Sequence, residues 1–117
     1  MNPRLFALGR LKQGQMNKTE TAYSQRLELM LRAGEILWFS FEGVKLRIAD
    51  NCFLTVDFAV MTKTGLLEMH DVKGSVHVFS DDAKVKMKVA AGKFPFVFKV
   101  VYPVGKKLGG WNVEEIK

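Results

Sequence analysis

Leu54-Thr55-Val56-Asp57-Phe58-Ala59-Val60-Met61-Thr62-Lys63-Thr64-Gly65-Leu66-Leu67-Glu68-Met69-His70-Asp71-Val72-Lys73-Gly74 is the stretch whose reading decides the fold. It divides into two β-prone runs, Phe53–Met61 and Leu67–Lys73, around a turn at Thr62-Lys63-Thr64-Gly65. The first run carries one carboxylate, Asp57, among Val, Phe and Ala; burying it without a partner costs several kcal/mol. The second ends in Asp71 and Lys73, two residues apart, so both project from the same strand face about 7 Å apart. A carboxylate in an apolar run, facing a second strand that ends in an acid and an amine, is the signature of a site.

Working outward, Asn17-Lys18-Thr19-Glu20 has capping-box form, and a helix is expected from about Lys18 to Ala33, stopped at Gly34. Tyr23, Leu27, Met30 and Leu31 form its apolar stripe, and Glu20 falls close to the stripe's centre. Strands are expected at Ile36–Phe41 and Val44–Ile48, the second with Lys45 and Arg47 on its outer face. With Phe53–Met61 and Leu67–Lys73 they would form an antiparallel meander. Ser80-Asp81-Asp82 starts a second helix, read to Ala91 with a stop at Gly92 and an apolar stripe of Val85, Val89 and Ala90. A hydrophobic strand then spans Phe94–Tyr102, bounded by Pro95 and Pro103. The tail 104–117 reads as a loop, with Trp111 docked on the core. The order helix, four strands, helix, strand predicts an α+β domain with a mixed sheet flanked by helices. Residues 1–15 read as a basic arm, flexible or exchanged between protomers, 16–103 as the core domain and 104–117 as a C-terminal tail.

The chain has 117 residues, enough for one hydrophobic core, and 18 Lys and Arg against 12 Asp and Glu, a net charge of +6. That excess favours a polyanionic partner, nucleic acid foremost. A single cysteine, Cys52, excludes an intramolecular disulfide and fits a reducing, cytoplasmic setting. Apolar runs are strand-sized, so no membrane span is expected, and the first residues lack the apolar segment of a secretory signal.

Glu20, Asp57 and Asp71 are three carboxylates that this layout can bring together, and hard oxygen ligands of this kind suit Mg²⁺, with Mn²⁺ as a substitute. Lys73 beside them can orient a water or steady a pentavalent phosphate. Each also has a plainer reading. Glu20 at the third helical position caps its own helix. Lys84 and Lys88, one turn apart, form a solvated basic face or a phosphate-binding pair. His70 lies on the strand face opposite Asp71, shared with Glu68, and reads as an ordinary surface or core histidine, not a zinc ligand; His77 is read the same way. Cys52 has no His–acid partner and is not read as a nucleophile.

Asp57 in a β-hairpin, followed by Asp71-Val72-Lys73 in its second strand, resembles the PD-(D/E)XK nuclease superfamily. Val56-Asp57 stands where the family has Pro-Asp, Asp71-Val72-Lys73 matches (D/E)XK, and Glu20 matches the acid many members carry on the first helix. The resemblance spans roughly 17–102, and the small junction-resolving endonucleases of phages are similar in layout. It implies a restriction-endonuclease-like αβββαβ core. It further implies Mg²⁺-dependent hydrolysis of DNA, branched or duplex, by a homodimer serving phage recombination or replication. Glu20, Asp57, Asp71 and the Val72 carbonyl would hold the metal, and Lys73 would position the water. Lys84 and Lys88, with Arg10 and Lys12 of the arm, would contact DNA. Two other readings stand beside it. One is a non-catalytic nucleic-acid-binding module, a subunit of a phage DNA-processing or packaging complex. The other is a protein-docking surface, with Asp71 and Lys73 a mere ion pair.

Overall fold

The computed structural model describes residues 14–74, 81–105 and 109–117. Helix α1 (Lys18–Arg32) starts at the cap expected of it: the Glu20 N–H donates to Asn17 at 2.8 Å, and Glu20 Oε1 accepts the Asn17 N–H at 2.9 Å. It ends where Gly34 takes φ +77°, a left-handed conformation that L side chains rarely adopt. Tyr23 and Leu27 are the residues that the helix buries, with Met30 and Leu31 packed partly in.

Among the described residues seven strands follow: β1 (Ile36–Phe41), β2 (Lys45–Ala49), β3 (Cys52–Thr55), β4 (Phe58–Thr62), β5 (Leu67–Val72) and, after helix α2 (Asp81–Lys93), β6 (Val97–Pro103) and β7 (Trp111–Ile116). A five-stranded sheet has the order β1-β4-β5-β6-β7, and β2 and β3 form a separate two-stranded sheet. β5 and β6 run parallel, joined through α2, and the remaining neighbours are antiparallel. The molecule is an α+β domain with a mixed sheet.

Alternation along the central strands divides the interior in two. Phe58, Val60, Val72 and Val101 face α1 and pack with Tyr23, Leu27 and Ile36. Ala59, Met69, Phe98 and Val100 face the other way, against Leu46 and Ile48 of the small sheet and Met87 and Ala90 of α2. The five-stranded sheet is the middle of three layers.

Four expectations are corrected. The run Phe53–Met61 is two strands, because the chain leaves the small sheet and enters the large one at Val56-Asp57. Two bonds hold that crossing: the Val56 N–H donates to Val44 O at 3.2 Å and the Glu42 N–H to Asp57 O at 2.8 Å. Consequently β2 pairs with β3 and not with the meander. Helix α2 continues through Gly92 to Lys93. It buries Met87 and Ala90, whereas Val85 and Val89 are 60% and 44% exposed. Positions 83, 87, 90 and 94 follow one helical face, and Ala83 and Phe94 pack partly against it. Lastly, the tail is no loop at Trp111–Ile116, which pairs with β6 along its length. Its pattern is masked because β7 is an edge strand with only Ile116 buried. Trp111 docks as expected, edge-on to Tyr23 with ring centroids 5.0 Å apart. Ser80, His77, and Arg10 and Lys12 of the arm lie outside the described residues.

Candidate functional site: a carboxyl pair at the end of β5

β4 and β5 are joined by the expected turn, in which Gly65 has φ +89° and its N–H donates to Thr62 O at 3.0 Å. The pairing puts Phe58 against His70, so the register one step further sets Asp57 opposite Asp71. Asp57 does not continue into β4; it sits at the break before it, and its Oδ2 accepts the Val72 N–H at 2.8 Å. The two carboxyl groups are close enough to act on each other. Burial pushes the Asp57 carboxyl up to about 8; the charge of Asp71 pushes the same way, the Val72 N–H opposes them, and Glu20 adds a smaller rise. At neutral pH the Asp57 carboxyl therefore keeps its proton.

Lys73 completes the group. It lies just beyond β5, its N–H donates to Val101 O at 2.9 Å, and its Nζ is 3.0 Å from Asp71 Oδ2. Strand alternation places Asp71 on the side of Met69, facing α2 and the small sheet, while Val72 points to α1. Glu20 approaches from the α1 side, half-buried, with Oε1 committed to the cap. Asp57, Asp71 and Lys73 are therefore brought together, with Glu20 near enough for its charge to be felt at Asp57. The expected three-carboxylate cage is not: among the described residues no group of three or more His, Cys, Asp or Glu could hold a metal ion. Two carboxylates and a backbone carbonyl fit the sparse protein ligation of Mg²⁺, which keeps most of its waters. Lys84 and Lys88 are exposed on α2.

His70 is a core histidine, as read, but not an isolated one. Its Nδ1 is 2.6 Å from Tyr23 Oη and its Nε2 2.8 Å from Glu68 Oε1, and Glu68 Oε2 in turn meets Lys99 Nζ at 2.9 Å. The hydrogen bond from His70 holds the Glu68 carboxyl below its ordinary range, against the effect of burial and with help from Lys99. Glu68 and His70, two apart in a buried strand, were the visible signal; Tyr23 and Lys99 come from elements whose register no local pattern sets. A groove of about 510 Å³ between the outer side of α1 and Trp111 shares no residue with either group.

Compared with known proteins, the chain matches no family model, and no curated protein or solved structure is significantly similar to it.

Proposed function

We propose that this protein is a metal-dependent DNA endonuclease of PD-(D/E)XK type, selective for branched DNA such as Holliday junctions or flaps, serving phage recombination or replication in the host cytoplasm. The observation that carries the reading is the Asp57–Asp71 pair with Lys73 at 3.0 Å from Asp71. It stands at the mouth of an antiparallel hairpin, β4–β5, continued by a helix and the parallel strand β6. With β2–β3 counted as an insertion, α1, β1, β4, β5, α2 and β6 follow the αβββαβ order.

Asp57, Asp71 and the Val72 carbonyl would hold Mg²⁺, or Mn²⁺ in its place. When bound, the ion supplies Lewis-acid polarisation of a phosphate oxygen and a water of lowered pKa. Of the chain's own groups, Asp71 anchors the Lys73 ammonium, which is aimed to hold a water or to meet the charge that grows on the phosphoryl oxygens. The net charge of +6 supports a polyanionic substrate. A homodimer, which would bring two sites to two strands, is supported by the edge strand β1, uncharged and with Leu37 and Trp38 59% and 47% exposed. No helix among the described residues is long and apolar enough to cross a membrane.

The test is a panel of four-way junctions, flaps, single strands and linear duplex with Mg²⁺ or with EDTA. Cleavage in Mg²⁺, abolished by EDTA and by Asp57→Asn, is expected. A second reading, a nucleic-acid-binding subunit without turnover, is favoured by the lack of a three-carboxylate group among the described residues. Salt-sensitive binding with no cleavage in Mg²⁺ or Mn²⁺ would establish it instead.

A further inference from the structure

The outer face of the β2–β3 ribbon carries side chains that the proposed chemistry does not use. Alternation divides the ribbon: Leu46, Ile48, Cys52 and Leu54 turn in to the second core, and Lys45, Arg47, Phe53 and Thr55 turn out. The register sets Arg47 directly opposite Phe53 and Lys45 opposite Thr55. The aromatic ring therefore has one cation across the ladder and a second on the diagonal. Lys45 and Arg47 stand on one strand face, about 7 Å apart along the strand.

Phe53 is the unusual member of this face. It is 44% exposed, whereas Leu54 beside it packs against the core. A lone exposed apolar residue is ordinary on a protein surface. This one has a cation set against it: Lys45 Nζ lies 4.8 Å from the ring centroid, and one ammonium covers at most one of the ring's two faces. Arg47 is paired with Asp50 of the adjoining turn, both side chains largely in solvent. Such a surface pair is weak, and a phosphate offers the guanidinium a stronger partner.

An exposed ring between two cations on a flat ribbon fits an unpaired nucleotide. Its base has a face to stack on the ring, and its flanking phosphates meet the cations. A paired base is enclosed in the duplex stack and offers no such face. An anionic lipid surface calls for more buried apolar area than one ring supplies. The ribbon also leads to the carboxyl pair: β3 ends at Thr55, and Phe53 precedes Asp57 by no more than about 14 Å of chain. On its inner side Lys93 of α2 donates to Ile48 O at 3.4 Å, tying the ribbon to the lysine-rich helix.

We infer that the outer face of β2–β3 binds unpaired DNA, with Phe53 as the stacking platform and Lys45 and Arg47 as its phosphate contacts. The inference rests on the nucleic-acid reading proposed above and deepens it. The substrate is DNA that carries a single-stranded segment, such as a flap or an opened branch point, and the ribbon seats that segment on the approach to Asp57.

Binding is measured by fluorescence anisotropy in EDTA with three labelled DNAs: a short oligothymidylate, a flap and a blunt linear duplex. Phe53, Lys45 and Arg47 are all exposed, so their substitution should leave the melting temperature nearly unchanged. Phe53→Ala is expected to weaken binding of the oligothymidylate and the flap at least about fivefold, the low end for one stacked base, with little change for the duplex. Phe53→Trp should restore binding, and its added fluorescence should be quenched by the oligothymidylate. Lys45→Gln with Arg47→Gln should lower the slope of log K against log salt for the oligothymidylate by about 1.4. Equal weakening of all three DNAs by Phe53→Ala, or no weakening of any, overturns the inference; Mg²⁺-dependent cleavage of the flap by the unaltered chain would leave the proposed function standing. Binding to phosphatidylserine vesicles that Phe53→Ala abolishes, without binding of the oligothymidylate, would assign the face to a membrane and overturn the inference. No binding of any DNA by the unaltered chain overturns the inference and the proposed function together.

Discussion

Burial and a second carboxylate act on Asp57 in the same direction, and the result can be read in the stability of the metal-free protein. The folded carboxyl is raised from 3.8 to about 8, so between those values the folded state holds a proton that the unfolded state releases. This stabilisation is complete below pH 4 and lost as pH rises towards 8. The melting temperature of the metal-free chain should therefore fall between pH 5 and pH 8, and Asp57→Asn should flatten that slope. Mg²⁺ should raise the melting temperature more at pH 8 than at pH 5, because at low pH it competes with the proton on Asp57. A slope unchanged by Asp57→Asn would assign the pH dependence elsewhere. At this scale the sequence was informative wherever residues were neighbours along one strand: Asp71 and Lys73 share a face by simple alternation, and Asp57 stood out against its apolar flanks. The Tyr23–His70 contact spans 47 positions and depends on how a helix lies across a sheet, which no local pattern records.

Among the elements, α1 and α2 are held by different means, and substitution should separate them. The cap of α1 is a reciprocal pair of bonds, so Asn17→Ala should cost about 1 kcal/mol, seen as a lower denaturation midpoint. α2 relies on what it buries. Met87→Ala should cost about 2–4 kcal/mol in a denaturant melt, while Val85→Ala should stay within about 0.5 kcal/mol of the unaltered protein. The reverse order would restore the valine stripe that the sequence suggests for this helix. That stripe misleads because Val85 and Val89 are the most hydrophobic residues of a lysine-rich segment, yet methionine and alanine fit the narrow space above the sheet. The helix α1, by contrast, was legible from its cap to its terminating glycine, since both signals are local. β7 was not, because an edge strand exposed on most positions has no alternation to display.

For the molecule as a whole, the charge of +6 predicts binding to DNA that weakens steeply with salt. Exposed Lys84 and Lys88 lie on the helix that packs over the Asp71 side of the sheet. Reversing both to Glu should weaken binding to a four-way junction and, if each meets a phosphate, reduce the slope of log K against log salt by about 2. A slope left unchanged would move the DNA path off α2. The fold class was legible at this scale because element order alone restricts the sheet to few arrangements. The assignment of strands to two sheets was not. It hinges on a two-residue break within a run that is β-prone throughout.

That break has one more consequence. β1 and β4 already pair antiparallel, with Phe41 against Phe58, and the Glu42 N–H reaches Asp57 O across the open end. The chain between them is thus a bracket inserted into a finished hairpin: closing it by a tight turn would leave the order of the five strands intact. Its Leu46 and Ile48 nonetheless roof the second core, so the insertion is topologically optional and energetically committed. Asp57 stands where roof and ladder meet, between the Val56–Val44 bond on one side and the Glu42–Asp57 bond on the other. The turn between β2 and β3, at the far end of the roof, can therefore lengthen or shorten while the bonds that flank Asp57 are kept.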